Sequence, residues 1–503
     1  MLSGFDTAKF SHFKFFLRMK KQFLAAVFSL IALGAVAQNS DEILQKIYRE
    51  ATDHSQAYAA LDKACKTIGH RLTGSRNGAK AEKYTHDFLK KAGLKDVRYQ
   101  PFEVQSWSRS TVSLGIDAVG SDAFPAMPTA TLAHSPAEAN VTAPIVDLGN
   151  GLATDFEALT MKNIEGRIVL MNIGLNDVPA GTKNLHRSEK TALAIKYGAV
   201  GVIMINNAPG KILLTGTASV TGKTISVPAV SITNDDGIKL REELKTRPLM
   251  ARIKMTNNIG NIKARNVIGT IPGSDPSAGK IVIGGHLDSW DLATGAVDNG
   301  IGSFTILDIA RTFAALNLKP KRTIEFVMFM GEEQGLLGSR RYVEQAIADG
   351  SIKNIDLMIN VDMTSNPTGF AVQGQPQAEA FFKAIGEKLK AIDNSFTNTF
   401  SSGAGLHSDH QPFMLQGVPV MNFSGSLPAN VLQCYHADCD NMNLVDEQAL
   451  KHTVRIMSMA LYEIANAPEL PLQKMDDETV KNFLISNGLK EPLVISGDWR
   501  WGK

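Results

Sequence analysis

The sequence has no excess of either charge, no apolar run of membrane length and only three cysteines in 503 residues. Each shortage excludes something. With 52 Lys and Arg against 50 Asp and Glu, the chain carries no electrostatic footprint for nucleic acid. The apolar stretch that begins at Phe23 is too short for a comfortable membrane span. No cysteine follows the small residues Ala35-Val36-Ala37, which argues against a bacterial lipoprotein. No internal repeat or low-complexity tract stands out. What remains is a chain, 44% hydrophobic, long enough to bury a large core in more than one domain.

The N-terminus is not part of that core. Met19-Lys20-Lys21, the apolar run and the small residues before Gln38 read as a secretory signal cut near Ala37. An uncleaved anchor helix is the alternative. Residues 1–18 look like an upstream extension, with Met19 the better initiator. The expected product is exported, periplasmic or secreted, and free of the membrane. Residues 1–37 carry Lys9, Lys14, Arg18, Lys20 and Lys21 against Asp6, five minus one or +4, so cleavage takes the net charge from +2 to −2. Of the cysteines, Cys434 and Cys439 are close enough in sequence to form a small disulfide loop around Tyr435 and His436. A buried thiol is the alternative, and Cys65 is left free.

Along the chain, helical periodicity covers Asp41 to Ile68 and Gly78 to Ala92, with Gly93 as a stop signal. The loop IGHRLTGSRNG lies between them, and Val97 to Val112 read as strands. From about Ser113 the texture changes to short β runs rich in Gly, Pro, Ala and Thr. There GRIVLMNIG, SEKTALAIKYGA, GVIMINN and SVPAVSI form a small α/β unit of their own. The expected division is a discontinuous domain over 38–113 and 257–468, an insert over 114–256, and a tail over 469–503 that the sequence leaves unread beyond docking by Trp499 and Trp501. From Lys280, apolar strands alternate with amphipathic helices, ending in a helix over Asp446–Ala465. That pattern predicts an α/β fold, a mostly parallel sheet with helices on both faces. Ligands in such sheets bind beyond the carboxyl ends of the strands.

The chain carries five metal-type side chains, His286 in GGHLDSWD, Asp298 in GAVDNG, Glu333 in MGEEQG, Asp362 in NVDM and His436 in CYHADCD, and His286, Glu333 and Asp362 fall at such ends. Two divalent ions sharing one carboxylate need two imidazoles, two terminal carboxylates and one bridge. Asp288, two residues from His286 on a strand, shares its face and suits the second ring nitrogen. Asp298 has glycines nearby that permit a tight backbone approach; alone, the string is an Asp-Asn-Gly turn. Glu332 and Glu333 end a buried strand, where two unpaired charges are costly. One ligand and one general base resolve that cost, whereas elsewhere the pair would read as a solvated helix start. His436 alone would be a surface histidine.

GGHLDSWDLATGAVDNG, LKPKRTIEFVMFMGEEQGLLGSRRY and NVDM resemble the zinc exopeptidases of the carboxypeptidase Q (plasma glutamate carboxypeptidase) and aminopeptidase Y group, over nearly the whole mature chain. HRLTGSRNG resembles that group's N-terminal string, and 114–256 its protease-associated insert. The resemblance implies one Zn²⁺ on His286, Asp298 and Asp362 and a second on Asp298, Glu333 and His436. It also implies Glu332 as general base, Asp288 as partner of His286, Tyr435 as an oxyanion donor, and Asp440 orienting His436. A cis bond at Asp298-Asn299 follows from it too. Asn299 stands where many relatives have Asp, at a position that is not a ligand. The implied reaction is hydrolysis of dipeptides or short peptides, by a chain that pairs as a homodimer. Which peptide terminus is captured stays open, and SGAGLHSDHQPF is expected to line the pocket. A one-zinc glutaminyl cyclase would not keep both His286 and Asp362, and a non-catalytic receptor would have lost ligands.

Overall fold

The computed structural model describes residues 41–502; the expected signal segment and the choice of initiator lie outside them. Among the described residues no helix is long and apolar enough to cross a membrane. The helical pattern from Asp41 resolves into two helices, 41–53 and Ala57–Thr67. A core carboxylate makes the break: Asp308 Oδ2 accepts from Ser55 Oγ at 2.6 Å, Gln56 N at 2.9 Å and Ala57 N at 3.3 Å. It satisfies amides that the second helix leaves orphaned, a capping role worth about 1 kcal/mol. The next helix, Arg76–Ala92, starts two residues before the expected position because Ser75 Oγ accepts from Gly78 N at 2.9 Å. It ends at Gly93, whose φ of 90° suits glycine.

Two long strands organise everything that follows. Lys95–Ala118 pairs antiparallel with Leu249–Ile271 along almost its whole length. Both strands pass through positions 114 and 256 without a break, so the ribbon itself carries the chain out of the larger unit and back. Beyond it, Glu138–Asp147, Ile168–Asn172, Gly201–Ile205 and Ala229–Ile232 pair in parallel. Successive side chains on these strands face opposite ways. Ile168, Leu170, Ile203 and Val230 therefore enter one apolar cluster, and Val169, Met171, Val202 and Met204 another. The unit has a core on each face, and the helix Arg187–Lys196 covers the second.

In the larger unit, Lys280–His286 lies between Thr323–Phe329 and Ile355–Asn360, parallel to both. Val420–Ser424 continues the parallel run beside Ile355–Asn360. Gly369–Val372 is antiparallel to it, and Leu249–Ile271 closes the other side, also antiparallel. Ile281 and Ile283 face a core shared with helices Gly302–Ala315 and Glu447–Asn466. Val282 faces a second core with Tyr342, Val343 and Phe413. The α/β reading, with helices on both faces and an inserted second unit, is borne out.

The tail, unread in the sequence, folds into helices Asp477–Ser486 and Lys490–Ser496. Val480, Leu484, Leu489 and Leu493 enter the second core, and Trp499 and Trp501 pack partly buried against it.

Candidate metal centre

Parallel pairing brings three of the candidate residues to one edge of the sheet. His286 is the last residue of its strand and stands level with Phe329, three residues before Glu332; Asn360, two before Asp362, stands level with Gly284. Asp298 arrives from the turn into helix Gly302–Ala315, through a cis peptide bond to Asn299. Asn299 fixes that turn to the sheet: its Nδ2 donates to Val361 O at 2.9 Å and its Oδ1 accepts from Met363 N at 2.9 Å. Close approach here needs glycine. A Cβ on Gly285 would meet Val361 O at 2.2 Å, and one on Gly302 would meet Asn299 Oδ1 at 2.1 Å.

The side chains converge around Asp298. Its Oδ1 is 3.2 Å from Nε2 of His286, and its Oδ2 is 2.9 Å from Nε2 of His436. His286 Nε2 also lies 3.3 Å from Asp362 Oδ1, and His436 Nε2 lies 3.0 Å from Glu333 Oε2. One carboxylate thus stands between two imidazoles, each imidazole with a further carboxylate. His286, Asp298 and Glu333 offer ligand atoms within 4.8 Å of one another. Asp298 Oδ2, Glu333 Oε1 and Asp362 Oδ1 are buried without a hydrogen-bond donor. Orphaned buried carboxylate oxygens beside imidazole nitrogens are what a divalent cation would satisfy, so the residues fit a metal.

The electrostatics follow from crowding charge in a dry place. Burial, opposed by His286 and reinforced by Glu333, holds the Glu332 carboxyl well above the usual range. Burial and then Asp298 do the same to Glu333. Asp298 goes the other way: burial would raise it, but the His286 and His436 imidazoles set against its two oxygens hold it far below. Burial and the Arg187 guanidinium push His436 down to about 4, which keeps the ring neutral.

Two of the expected supporting contacts differ. Asp288 is buried, but its Oδ1 stands 3.7 Å from His286 Nδ1, whose nearer partner is the Asp288 carbonyl oxygen at 3.1 Å. The carboxylate instead accepts from Glu332 N at 3.3 Å, because the Glu332 loop follows the adjacent strand. Asp440, expected to orient His436, accepts from Val297 N at 2.7 Å and Asp298 N at 3.0 Å. It grips the backbone of the central carboxylate. The partner of His436 Nδ1 is Arg187 Nη2, from the inserted unit. Cys434 and Cys439 are joined, so the disulfide spans the turn that carries Tyr435 and His436. Cys65 is free and buried. Tyr435 stacks on His436 with ring centroids 3.9 Å apart and lines the cavity.

Sequence reading missed several residues. Arg71, within HRLTGSRNG, is buried and donates to the carbonyls of Leu287 at 2.6 Å, Thr294 at 2.9 Å and Gly295 at 2.8 Å. It braces both ends of the loop between His286 and Asp298. Ser408, within SGAGLHSDHQPF, donates to Asp362 Oδ2 at 2.7 Å. Arg187 is buried with its Nε unpartnered, and Gly216 makes its room: a Cβ there would meet Arg187 Nε at 1.9 Å. The strings hinted at Arg71 and Ser408; nothing local marked Arg187.

A cavity of about 80 Å³, open to solvent, leads to this cluster. Glu332, Glu333, Tyr435 and His436 form one wall, Arg187 and Glu189 of the inserted unit another, and Leu406, His407 and Gln411 part of the rest.

Residues 266–461 match the model of peptidase family M28, and residues 141–240 match that of the PA domain. Carboxypeptidase Q of Xenopus laevis is 26% identical over 423 residues, 83% of this chain and 87% of its own. Aminopeptidase YwaD of Bacillus subtilis is 27% identical over 429 residues, 82% of this chain and 86% of its own. Among solved structures, the aminopeptidase from Aneurinibacillus sp. strain AM-1 is 25% identical and covers 86% of this chain and 98% of its own, with a TM-score of 0.63. A peptidase M28 precursor from Shewanella amazonensis shares the fold at a TM-score of 0.71 and 21% identity, over 87% and 99% of the two chains.

Proposed function

We propose that this chain, a metallo-exopeptidase of peptidase family M28, is a co-catalytic two-zinc enzyme that hydrolyses dipeptides and short peptides. Retention of both His286 and Asp362 argues against the one-zinc cyclase, and the presence of all five candidate ligands against the non-catalytic receptor. The observation that carries the reading is the placement of Asp298 between His286 and His436, one oxygen toward each. In this reading His286, Asp298 and Asp362 would hold one zinc, and Asp298, Glu333 and His436 the other. Bound there, the pair would acidify a water toward neutrality and polarise the scissile carbonyl.

The chain's own groups supply the rest. Glu332 lines the cavity beside the ligand Glu333 without being needed as a ligand. As general base its carboxylate takes one proton from the attacking water and returns it to the departing amine. The second water proton passes from the new carboxyl group to the freed amine, so the products are a carboxylate and an ammonium, and Glu332 ends as it began. The Tyr435 hydroxyl, raised by burial, stays protonated and can donate to the carbonyl oxygen as that oxygen gains charge. Asp440 and Arg71 position the Asp298 turn, and Asp288 positions the Glu332 loop.

Arg187 favours capture of the carboxyl end. Its buried guanidinium lines the cavity beside His436 with Nε unpartnered, which suits a carboxylate better than an ammonium. The aminopeptidase alternative would draw on Glu189, whose buried Oε1 accepts no hydrogen bond and lies 3.5 Å from His407 Nε2. Assaying the zinc-loaded protein on a dipeptide, its N-blocked form and its C-amidated form separates the two. Loss with the amide alone supports carboxyl-end capture, loss with the blocked amine supports the alternative, and no turnover of any form overturns the exopeptidase reading. We further take residues 114–256 as the inserted module, the chain as exported after cleavage near Ala37, and the assembly as a homodimer, which light scattering tests.

A further inference from the structure

Two of the turns that line the cavity hold backbone that their side chains do not favour. Leu336, at the end of the turn that begins with Glu332, has a φ of 61°, and His407 has a φ of 66°. Left-handed backbone is costly for a residue with a Cβ and persists only where the surroundings impose it. Inside the first turn, Gly335 N and Leu336 N both donate to Glu332 O at 2.9 Å. From outside, Arg340 Nε donates to Gly335 O at 3.1 Å. The second turn is held in the same manner. Gln411 Oε1 accepts from His407 N at 2.9 Å, and the next residue, Ser408, donates to Asp362 Oδ2 at 2.7 Å.

Both braces meet on one carboxylate. Arg340 Nη1 and Nη2 donate to Oδ1 and Oδ2 of Asp498, each at 2.7 Å, and Gln411 Nε2 donates to Oδ2 at 2.9 Å. The Asp498 side chain is only 14% exposed. A two-pronged Arg–carboxylate pair fixes geometry as well as charge, so it aims the third donor, Arg340 Nε, at Gly335. Asp498 belongs to the tail, beyond residue 461 where the match to the peptidase family model ends. That tail is itself anchored. Leu489 and Leu493 are buried in the second core of the larger unit, and Ile495 packs against the core of the insert.

We propose that Asp498 is a positioning residue for the peptidase reaction, setting the Glu332 turn through Arg340 and the His407 turn through Gln411. The inference rests on Glu332 being the general base. A base must lie within hydrogen-bond reach of the proton it takes, and a misplacement of about 1 Å can cost roughly 10²-fold in rate. The Glu332 turn does not fix its own shape, because Leu336 would relax out of the left-handed region if nothing held it. The anchored tail supplies the fixed point. Asp498 moves no proton itself and acts through the turns that it holds.

The test measures kcat and KM on a dipeptide with the full-length, zinc-loaded enzyme, with zinc content and melting temperature recorded beside the rates. Asp498→Asn keeps the shape and removes the charge. It should lower kcat by about tenfold to a hundredfold, leave KM within about twofold, and keep the zinc. Arg340→Lys should do the same, because a point charge cannot pair with both Asp498 oxygens and also reach Gly335 O. Each substitution is then repeated in a Glu332→Gln background, where it should cost nothing further, since the group being positioned is gone. A strut that merely stabilises the fold would cost the same in both backgrounds, and that result overturns the proposal. Unchanged kcat in the folded single variants overturns it too. If Asp498→Asn does not fold, Arg340→Lys decides alone. Full turnover by Glu332→Gln itself overturns the general-base reading, and this inference with it.

Discussion

Arg187, on a helix of the inserted unit, directs its Nη2 at Nδ1 of His436, on a loop of the peptidase unit 249 residues away. The two units are also stitched by backbone near this contact: Thr215 N donates to His436 O at 2.9 Å, and Asp438 N to Leu213 O at 3.1 Å. The inserted unit therefore packs directly against a candidate metal ligand.

Arg187→Ala should reduce kcat/KM on a free dipeptide by on the order of 10²–10³-fold, the scale of losing a buried charge partner. If Arg187 captures the substrate carboxylate, the C-amidated dipeptide should lose far less. Equal losses on both, with zinc content falling in parallel by mass spectrometry, would make it a support for His436 and nothing more.

Glu332→Gln and Glu333→Gln should differ although the residues are adjacent. The first should keep its metal and lose turnover by about 10²–10⁴-fold, the usual contribution of a general base. The second should bind metal more weakly, because a neutral amide is a poorer donor, and recover partly with added zinc. Metal content measured beside rate checks both. Equal metal loss in the two variants would mean the roles are misassigned.

Removing the bridge with a Cys434→Ser, Cys439→Ser double variant should lower stability only modestly. Cross-linking so short a loop is worth roughly 2 kcal/mol. The larger effect should fall on zinc affinity, since the loop positions His436. Isothermal titration with zinc beside thermal melts separates the two effects. An unchanged affinity would show that Arg187 and the backbone contacts hold the loop unaided.

Burial raises the Glu189 carboxyl from its ordinary 4.5 to about 7. The unfolded chain ionises near 4.5 while the folded chain still holds the proton, so stability is lost as pH rises between those values. The cost above pH 7 is roughly 3 kcal/mol. Glu189→Gln should therefore melt at a higher temperature than the unaltered protein at pH 8, and the gap should close at pH 4. A gap that is the same at both pH values would count against a buried, proton-holding Glu189.

His286, Glu333 and Asp362 were legible in the sequence as candidate ligands because a polar side chain at the end of a parallel strand leaves a local mark, an apolar run stopped by a charged or imidazole group. The alternation of strand and helix was legible for the same reason: burial on two faces writes its period into neighbouring residues. Asp298 and His436 were legible through the chemistry the others demanded and through resemblance, with little local signal of their own. What surrounds the centre was not legible. Asp440 turned out to hold the Asp298 backbone, Asp288 the Glu332 loop, and Arg187 the His436 ring, because each contact joins segments far apart in sequence and depends on how two units pack. The tail gave no period strong enough to read, yet docking of Leu489, Leu493 and Ile495 carries Asp498 to the cavity. Periodicity and residue chemistry act over a few residues and determined the sheet and most of the candidate ligands. Contacts across the fold, invisible to any local pattern, decided the cavity around them.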